Sequence, residues 1–435
     1  RFTFEQHLLI AFAIRTFLII YGELQDDFLE VPYTDVDYKV VTDGARYVLE
    51  NESPFNRHTY RYSPIFAYLM VPNVLLHKSY GKFLFSLFDL LVAIIIKKIV
   101  SNELKITFFQ TTEVLLRKHK EHTGANMKTI DQFQFPKKYK DWAKTAAYCW
   151  LYNPLTAVIS TRGNGDSFSI LFVLATIYLI QKPSNTVLQY FVAGITHGLA
   201  IHLRIYPLIF SLAYFLSLSE NKFRRFTDYY LAIVRPNTKQ FMLVTGTVLT
   251  LFFINTFFYD MYGYKYMYEV LLYHLVRKDT RHNFSLYFLM QYLGTDSPLA
   301  AAEQILKFLP QAVLLFYFSV TFGVYRKTLS FCIFAQTFVF VIYNPVMTSQ
   351  YFVWFLSILP LCLKNLRNIQ MKLACSYFCV WMLAQGMWLL PAYLLEFRSW
   401  NTFDLLGIQS IGFFFVNIFI LQHLIDKLDV LSNIK

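Results

Sequence analysis

The chain has 435 residues, 56% of them hydrophobic and 19% aromatic, with only 16% charged. Soluble domains average about 25% charged and about 45–50% apolar residues, so the composition excludes an ordinary soluble protein and points to a polytopic membrane protein. The formal charge of +12 would suggest nucleic acid in a soluble chain, but in a membrane chain its distribution over the loops carries the information.

A hydrocarbon core about 30 Å thick takes roughly 20 apolar residues per helix. Windows that qualify, some of them short, fall at 4–22, 80–100, 143–160, 166–181, 186–200, 203–219, 240–259, 303–322, 327–344, 349–364, 371–392 and 405–425. They predict an all-α bundle of about 12 transmembrane helices. The first window contains Arg15 and has no small-residue cleavage site after it, so it reads as a retained span. Lys and Arg concentrate in the 101–142 and 220–239 connections, with Arg326, Lys327 and the turn from Lys364 to Lys372 on the same side. The positive-inside rule assigns that side, and both termini, to the cytosol. The 101–142 segment is charged and weakly periodic, and reads as a cytosolic connector with some helix. The loops at 23–79 and 260–302 then face the opposite compartment, a secretory lumen. The polar patches at 161–166, 202–204, 265–285 and 344–350 fall on that same face.

The loop from Val31 to Pro64 is the densest polar island in the chain. Tyr38, Val41, Ala45 and Val48 recur at helical spacing beside Asp37, Asp43, Arg46 and Glu50, which predicts a helix lying along the membrane surface. Ser63-Pro64 opens a second apolar stretch, too short to span, that reads as another surface or re-entrant helix. Asp35-Val36-Asp37 forms a DxD. A carboxylate here can serve as general base for a sugar hydroxyl, and the competing reading is a helix N-cap with solvated neighbours. A leaving lipid phosphate needs positive charge where its negative charge develops. Arg204, Arg277, Lys278, Arg281 and His282 carry such charge, with headgroup contact or snorkelling as the bland alternatives. His202 reads as a hydrogen-bonded structural residue, and Asp166 as either a cap or a cavity group. Cys149, Cys332, Cys362, Cys375 and Cys379 all fall in apolar segments and suggest neither a disulfide framework nor a zinc site. The sequons at Asn51 and Asn283 are expected to stay unmodified, the first because Pro54 follows it and the second because it lies close to a span. No HExxH, P-loop or GxSxG occurs.

Seven blocks, in order, are distinctive: YTDVDYKVVTDGARYVLENESPF, TYRYSP, LYNPLTAVISTRGNGDS, HLRIYP, YHLVRKDTRHNFSLYF, TSQYFVWFLSILP and MWLLPAYLLEF. Together they resemble the signature of the PIG-M family of GPI mannosyltransferases, with the 101–141 segment and the last span matching poorly. The resemblance implies a single GT-C transmembrane domain over 1–435 in the endoplasmic reticulum membrane. It implies transfer of mannose, through an α1,4 linkage, from dolichol-phosphate-mannose to glucosaminyl-(acyl)phosphatidylinositol on the luminal side. The family's DxD falls on Asp35 and Asp37, and the family also needs a small single-span companion subunit, PIG-X in kind. No metal cofactor is expected, although the DxD alone does not decide this. The chain departs from the family pattern at Pro345, where a Lys is often found. That shifts the expected phosphate contacts to Arg204, Arg277 and Arg281, with His282, Arg61 and Gln350 completing the substrate-binding set. A β-linked donor and an α-linked product imply one inverting displacement, with Asp35 as base and Asp37 as positioner. The rival readings are a GT-C mannosyltransferase for another lipid acceptor and, from a different class, a lipid or solute carrier. No repeated halves are visible, and charge gathers on one face, which weighs against the carrier.

Overall fold

A computed structural model describes residues 2–123, 136–184, 186–220, 223–273, 283–293, 300–366 and 369–428. Arg277, Lys278, Arg281 and His282 lie outside these residues. The described chain is helical throughout, without strands. Four helices are long and apolar enough to cross a membrane: Phe4–Phe28, Thr238–Leu272, Met371–Arg398 and Phe403–Asp426. Seven further apolar helices are shorter, so the expected dozen spans are not all continuous helices. The 143–160 window shows why. It breaks at Asn153-Pro154, where the Asn153 side chain accepts the Leu155 amide and Pro154 opens a new helix. An Asn cap with Pro at the first helical position starts a helix whatever the surrounding hydropathy.

The chain forms two compact units. The first comprises Arg1–Ile205 and Phe241–Val270. It holds α1 (Phe4–Phe28), α2 (Val36–Leu49), α3 (Pro64–Leu69), α4 (Val71–Leu75), α5 (Tyr80–Thr123), α6 (Lys137–Leu151), α7 (Pro154–Thr161), α8 (Asp166–Gln181), α9 (Val187–Leu203) and most of α10 (Thr238–Met267). α5 supplies the helix expected in the 101–142 segment. It runs unbroken for 44 residues to Thr123, because the stretch after Ser101 contains neither Gly nor Pro to stop it. Arg15 on α1 is fully buried, with its Nε 2.8 Å from Asp89 Oδ2 on α5. Its Nη1 donates to the carbonyls of Ala11 and Leu151, and Trp150 Nε1 donates to the Asp89 carbonyl. One buried ion pair therefore ties α1, α5 and α6, and removing either partner would strand a charge in the helix bundle.

α9 and α10 approach so closely that their backbones touch. A Cβ at Gly246 would lie 2.4 Å from the Phe191 carbonyl oxygen, and one at Gly194 would lie 2.3 Å from that of Leu243. Small residues allow such crossings, and a branched side chain has nowhere to go. Gly246→Val is expected to lower the folded yield and thermal stability of detergent-extracted protein, with activity falling in parallel. Gly386→Ala, where a Cβ meets nothing within 4 Å, is the matched substitution expected to behave as wild type.

The second unit comprises Tyr206–Gln240 and Leu271–Lys435. Its helices at Met371–Arg398 and Phe403–Asp426 lie side by side, as do those at Ala300–Thr321 and Leu329–Ile342. Asn283 is fully buried there. Its Nδ2 donates to the Pro345 carbonyl at 2.8 Å and to Gln291 Oε1 at 3.1 Å, while its Oδ1 accepts the Met347 and Ser285 amides. Ser285 Oγ adds a second bond to the Pro345 carbonyl, at 2.7 Å. The Asn-Phe-Ser sequon is therefore a clamp on the loop before Thr348, and it needs the Pro345 carbonyl rather than a side chain at that position. Asn283→Ala would leave several buried partners unsatisfied, at about 1–3 kcal/mol each. A drop in thermal midpoint is expected, whereas glycosidase treatment of the wild type should leave its electrophoretic mobility unchanged.

Candidate active site

The polar island of the sequence folds onto the ends of α7, α8 and α9 within the first unit. Residues Tyr33 to Asp35 are held on both sides. On one side the Asp26 carboxylate accepts the amides of Tyr33 at 2.6 Å and Thr34 at 2.9 Å, together with the Thr34 hydroxyl, and the buried Lys82 donates to that hydroxyl at 2.6 Å. On the other, the Asp35 amide donates to the Arg162 carbonyl at 3.0 Å, and Arg162 Nε donates to the Tyr33 carbonyl at 2.9 Å. α2 begins directly after this clamp, over the residues that the apolar spacing predicted.

Asp35 caps α2, its Oδ1 accepting the Asp37 amide at 3.3 Å. The capping reading of Asp35 thus holds structurally. It leaves the second carboxylate oxygen, which takes no hydrogen bond from the described residues. Burial pushes the Asp35 carboxyl above the usual carboxylate range, and the neighbouring Asp37 charge adds to it, against the opposing pull of Arg162. Asp37, in the first turn of α2, lines a small cavity together with Tyr38, Tyr62, Phe66, Gly163, Asn164 and Arg204.

The cavity floor depends on backbone that only glycine supplies. Gly163 has φ +95°, and a Cβ there would sit 2.4 Å from the Tyr38 ring. Tyr38 is fixed in turn by its hydroxyl, which donates to Asn73 Oδ1 and to the Lys78 carbonyl. Beyond it, Asn164 Oδ1 accepts the Asp166 amide and opens α8. α8 and α9 form an antiparallel pair, so the first residue of one helix meets the residue after the last of the other. Arg204 Nε accordingly lies 3.0 Å from Asp166 Oδ1, and its guanidinium stands over the Tyr62 ring at 5.4 Å. Asp166 is 1% exposed and Arg204 19%, so the carboxylate is spent on the pair while the cation keeps an edge toward the cavity. Tyr62 shares the cavity with Asp37; burial, and then that carboxylate's charge, raise its hydroxyl well above the ordinary phenol range.

Of the residues expected at the site, Asp37 and Arg204 line the one cavity, and Asp35 stands next to Asp37 at the cap of α2. Arg61 lies elsewhere in this unit, its Nε 3.4 Å from Glu269 Oε2. Gln350 belongs to the second unit, half-buried on the turn Ser349–Tyr351. His202 is the structural histidine expected, hydrogen-bonded to Ser63 Oγ at 2.7 Å and stacked on Phe258. Tyr62, Arg162, Asn164, Asp26 and Lys82 were not singled out in the sequence. The alternation of aromatic and basic residues in TYRYSP was the available signal for Tyr62. No group of three or more His, Cys, Asp or Glu side chains is placed to hold a metal among the described residues.

A family model described as Mannosyltransferase (PIG-M) matches residues 159–425. The chain is 35% identical over 416 residues to the GPI alpha-1,4-mannosyltransferase I catalytic subunit of Danio rerio, covering 96% of this chain and 95% of that protein. The chain belongs to the PIG-M mannosyltransferase family. Other members of comparable similarity are the GPI mannosyltransferase 1 of Dictyostelium discoideum, at 34% identity over 96% of this chain and 90% of that one, and of Saccharomyces cerevisiae, at 32% over 97% and 94%. Membership makes the chain a glycosyltransferase that moves mannose. The matched region begins just before the TRGNGD turn and includes Gly163, Asn164, Gly165 and Arg204 of the cavity lining, together with Asp166. Asp35 and Asp37 precede it and are reached by the full-length relatives.

Proposed function

We propose that this mannosyltransferase transfers mannose from dolichol-phosphate-mannose to glucosaminyl-(acyl)phosphatidylinositol, through an α1,4 linkage, in GPI-anchor biosynthesis. The observation that carries the reading is the meeting of Asp37 with Arg204 at one cavity, with Asp35 beside it at the cap of the same helix, in a chain similar almost end to end to enzymes named for GPI mannose transfer. The reaction is a single in-line displacement. The acceptor hydroxyl oxygen attacks the anomeric carbon, the bond from that carbon to the phosphate oxygen breaks, and dolichyl phosphate leaves with the electron pair. Asp35, with its raised carboxyl and open second oxygen, takes the hydroxyl proton. Asp37 orients the hydroxyl, and Arg204 meets the negative charge that develops on the phosphate. The cavity itself holds about 20 Å³, room for one water molecule rather than a sugar. The sugar therefore sits over the mouth, with the charged side chains as its floor. An apolar groove of about 430 Å³ lined by Ile65, Phe253, Ile254, Phe257 and Phe258 adjoins α3, whose Phe66 lines the cavity, and suits an isoprenoid tail.

The proposal includes the endoplasmic reticulum membrane, a luminal site, the GT-C bundle and a small single-span companion of the PIG-X kind, on the strength of the family and of the charge asymmetry of the loops. Microsomes carrying the chain, given radiolabelled dolichol-phosphate-mannose and glucosaminyl-phosphatidylinositol, should yield a mannosylated lipid sensitive to α-mannosidase. Transfer only to a different lipid acceptor would replace the acceptor in this reading. Absence of any transfer, with the companion co-expressed, would overturn it.

A further inference from the structure

Lys82 sits where a cation is unfavourable. It is 3% exposed and lies in the first turn of α5, where the helix dipole already presents positive charge. An ammonium withdrawn from water destabilises the fold unless it is closely paired. Its Nζ bonds not a carboxylate but the Thr34 hydroxyl, at 2.6 Å, and that hydroxyl in turn donates to the Asp26 carboxylate. The same Nζ stands 5.7 Å from the centroid of the Tyr38 ring. Thr34 is the residue before Asp35, and Tyr38 is the residue after Asp37. Lys82 therefore holds the chain on both sides of the DxD. The turn that carries it is fixed to the same helix, since Asn73 Oδ1 accepts the Gly81 amide at 2.7 Å and the Tyr38 hydroxyl at 3.1 Å.

We propose that Lys82 is a positioning residue of the transferase site, bracketing the DxD through the Thr34 hydroxyl and the Tyr38 ring. This rests on the reading of the site given above. Thr34 sets the backbone from which Asp35 caps α2, and Tyr38 lines the cavity beside Asp37. The run from ammonium to hydroxyl to carboxylate is charge-assisted at both ends, and such bonds are stronger than neutral ones and reinforce one another. Misplacing a reacting group by about 1 Å can lower a rate about 100-fold, so Lys82 can govern the chemistry without meeting substrate. A side chain kept for the fold alone would do better apolar, because a methionine of similar length is buried without desolvating a charge.

That difference supplies the test, in purified full-length chain assayed with dolichol-phosphate-mannose and glucosaminyl-phosphatidylinositol at varied donor concentration. Lys82→Met should keep or raise the thermal midpoint in detergent. Its kcat, per folded enzyme, should fall about 10- to 100-fold while donor KM stays within about threefold of wild type. Thr34→Val should lower kcat similarly, whereas Thr34→Ser, which retains the hydroxyl, should stay within about threefold of wild type. In an Asp35→Asn background, where the base to be placed is gone, Lys82→Met should change the residual rate by less than about threefold. Wild-type kcat in Lys82→Met, or an equal loss in the Asp35→Asn background, would overturn the assignment. If Lys82→Met does not fold, the threonine pair decides, and equal rates in Thr34→Val and Thr34→Ser overturn it. No transfer by the wild-type control sinks the substrate reading and this one together, whereas robust wild-type transfer with an unaffected Lys82→Met sinks only the role of Lys82.

Discussion

Asp35→Asn is expected to lower kcat by about 100- to 10,000-fold, the range lost with a general base, without loss of folded protein. Asparagine is the informative substitution because Asp35 also caps α2 through Oδ1. Alanine would remove that cap, at about 1 kcal/mol, and confuse a structural loss with a chemical one, whereas an amide oxygen still accepts the Asp37 amide. The wild-type carboxyl is raised by burial and by Asp37, so its charged form is a strain on the fold at neutral pH, relieved as pH falls through the raised value. The neutral amide carries no such strain, and thermal stability should be equal or slightly higher. The same shift sets a pH signature. A base works only when deprotonated, so kcat/KM should decline on the acid side at a pH above that of an ordinary carboxylate. Asp37→Asn removes one of the charges that raise Asp35 and should move that limb to lower pH while retaining measurable transfer. Measured kcat/KM against pH for the three proteins checks this. Wild-type activity in Asp35→Asn, or a limb that stays fixed in Asp37→Asn, would transfer the base to another group.

The features legible in the sequence were those that a local pattern fixes. α2 follows from apolar residues at helical spacing behind an aspartate cap, and both signals lie within its own stretch. The four long apolar helices likewise declare themselves by composition. The break at Asn153-Pro154 was written just as plainly, but a sliding hydropathy window sums over it and sees a span. In the 101–142 segment some helix was legible but not its length: charge lowers hydropathy without lowering helix propensity, so a charged segment free of Gly and Pro continues α5 to Thr123.

At the site, Asp35, Asp37 and Arg204 stood out because charge in an apolar chain is costly and needs a reason. Their partners did not stand out. Tyr62 is one of 31 tyrosines, so its type alone distinguishes nothing, and only the fold puts it between Asp37 and Arg204. Asp166 was divided between cap and cavity because sequence shows that a helix starts there but not what faces its first turn. The antiparallel pairing of α8 with α9 settles that by bringing Arg204 to it. The Tyr38 ring beneath Gly163 is likewise a long-range contact that no local pattern encodes.

The Arg204–Asp166 pair has the second large expected effect, because it carries both stability and chemistry. Arg204→Leu leaves the Asp166 carboxylate, 1% exposed, without its cation. Breaking a buried pair in this way costs about 3–5 kcal/mol, so the variant should show poor folded yield and a lowered thermal midpoint together with loss of transfer. That result alone cannot separate the roles. Adding Asp166→Asn removes the stranded charge, and the double variant should regain most of the lost stability. It should not regain activity, since no cation then meets the charge that develops on the leaving phosphate. Arg204→Lys, which keeps the charge but loses the planar contact with Tyr62, should fold and retain partial transfer, between wild type and leucine. Thermal midpoints in detergent, set beside donor-saturated transfer rates, give both axes. Transfer restored in the stable double variant would mean that Arg204 serves only to neutralise Asp166, and the phosphate contact would have to be sought among the other cations of the chain.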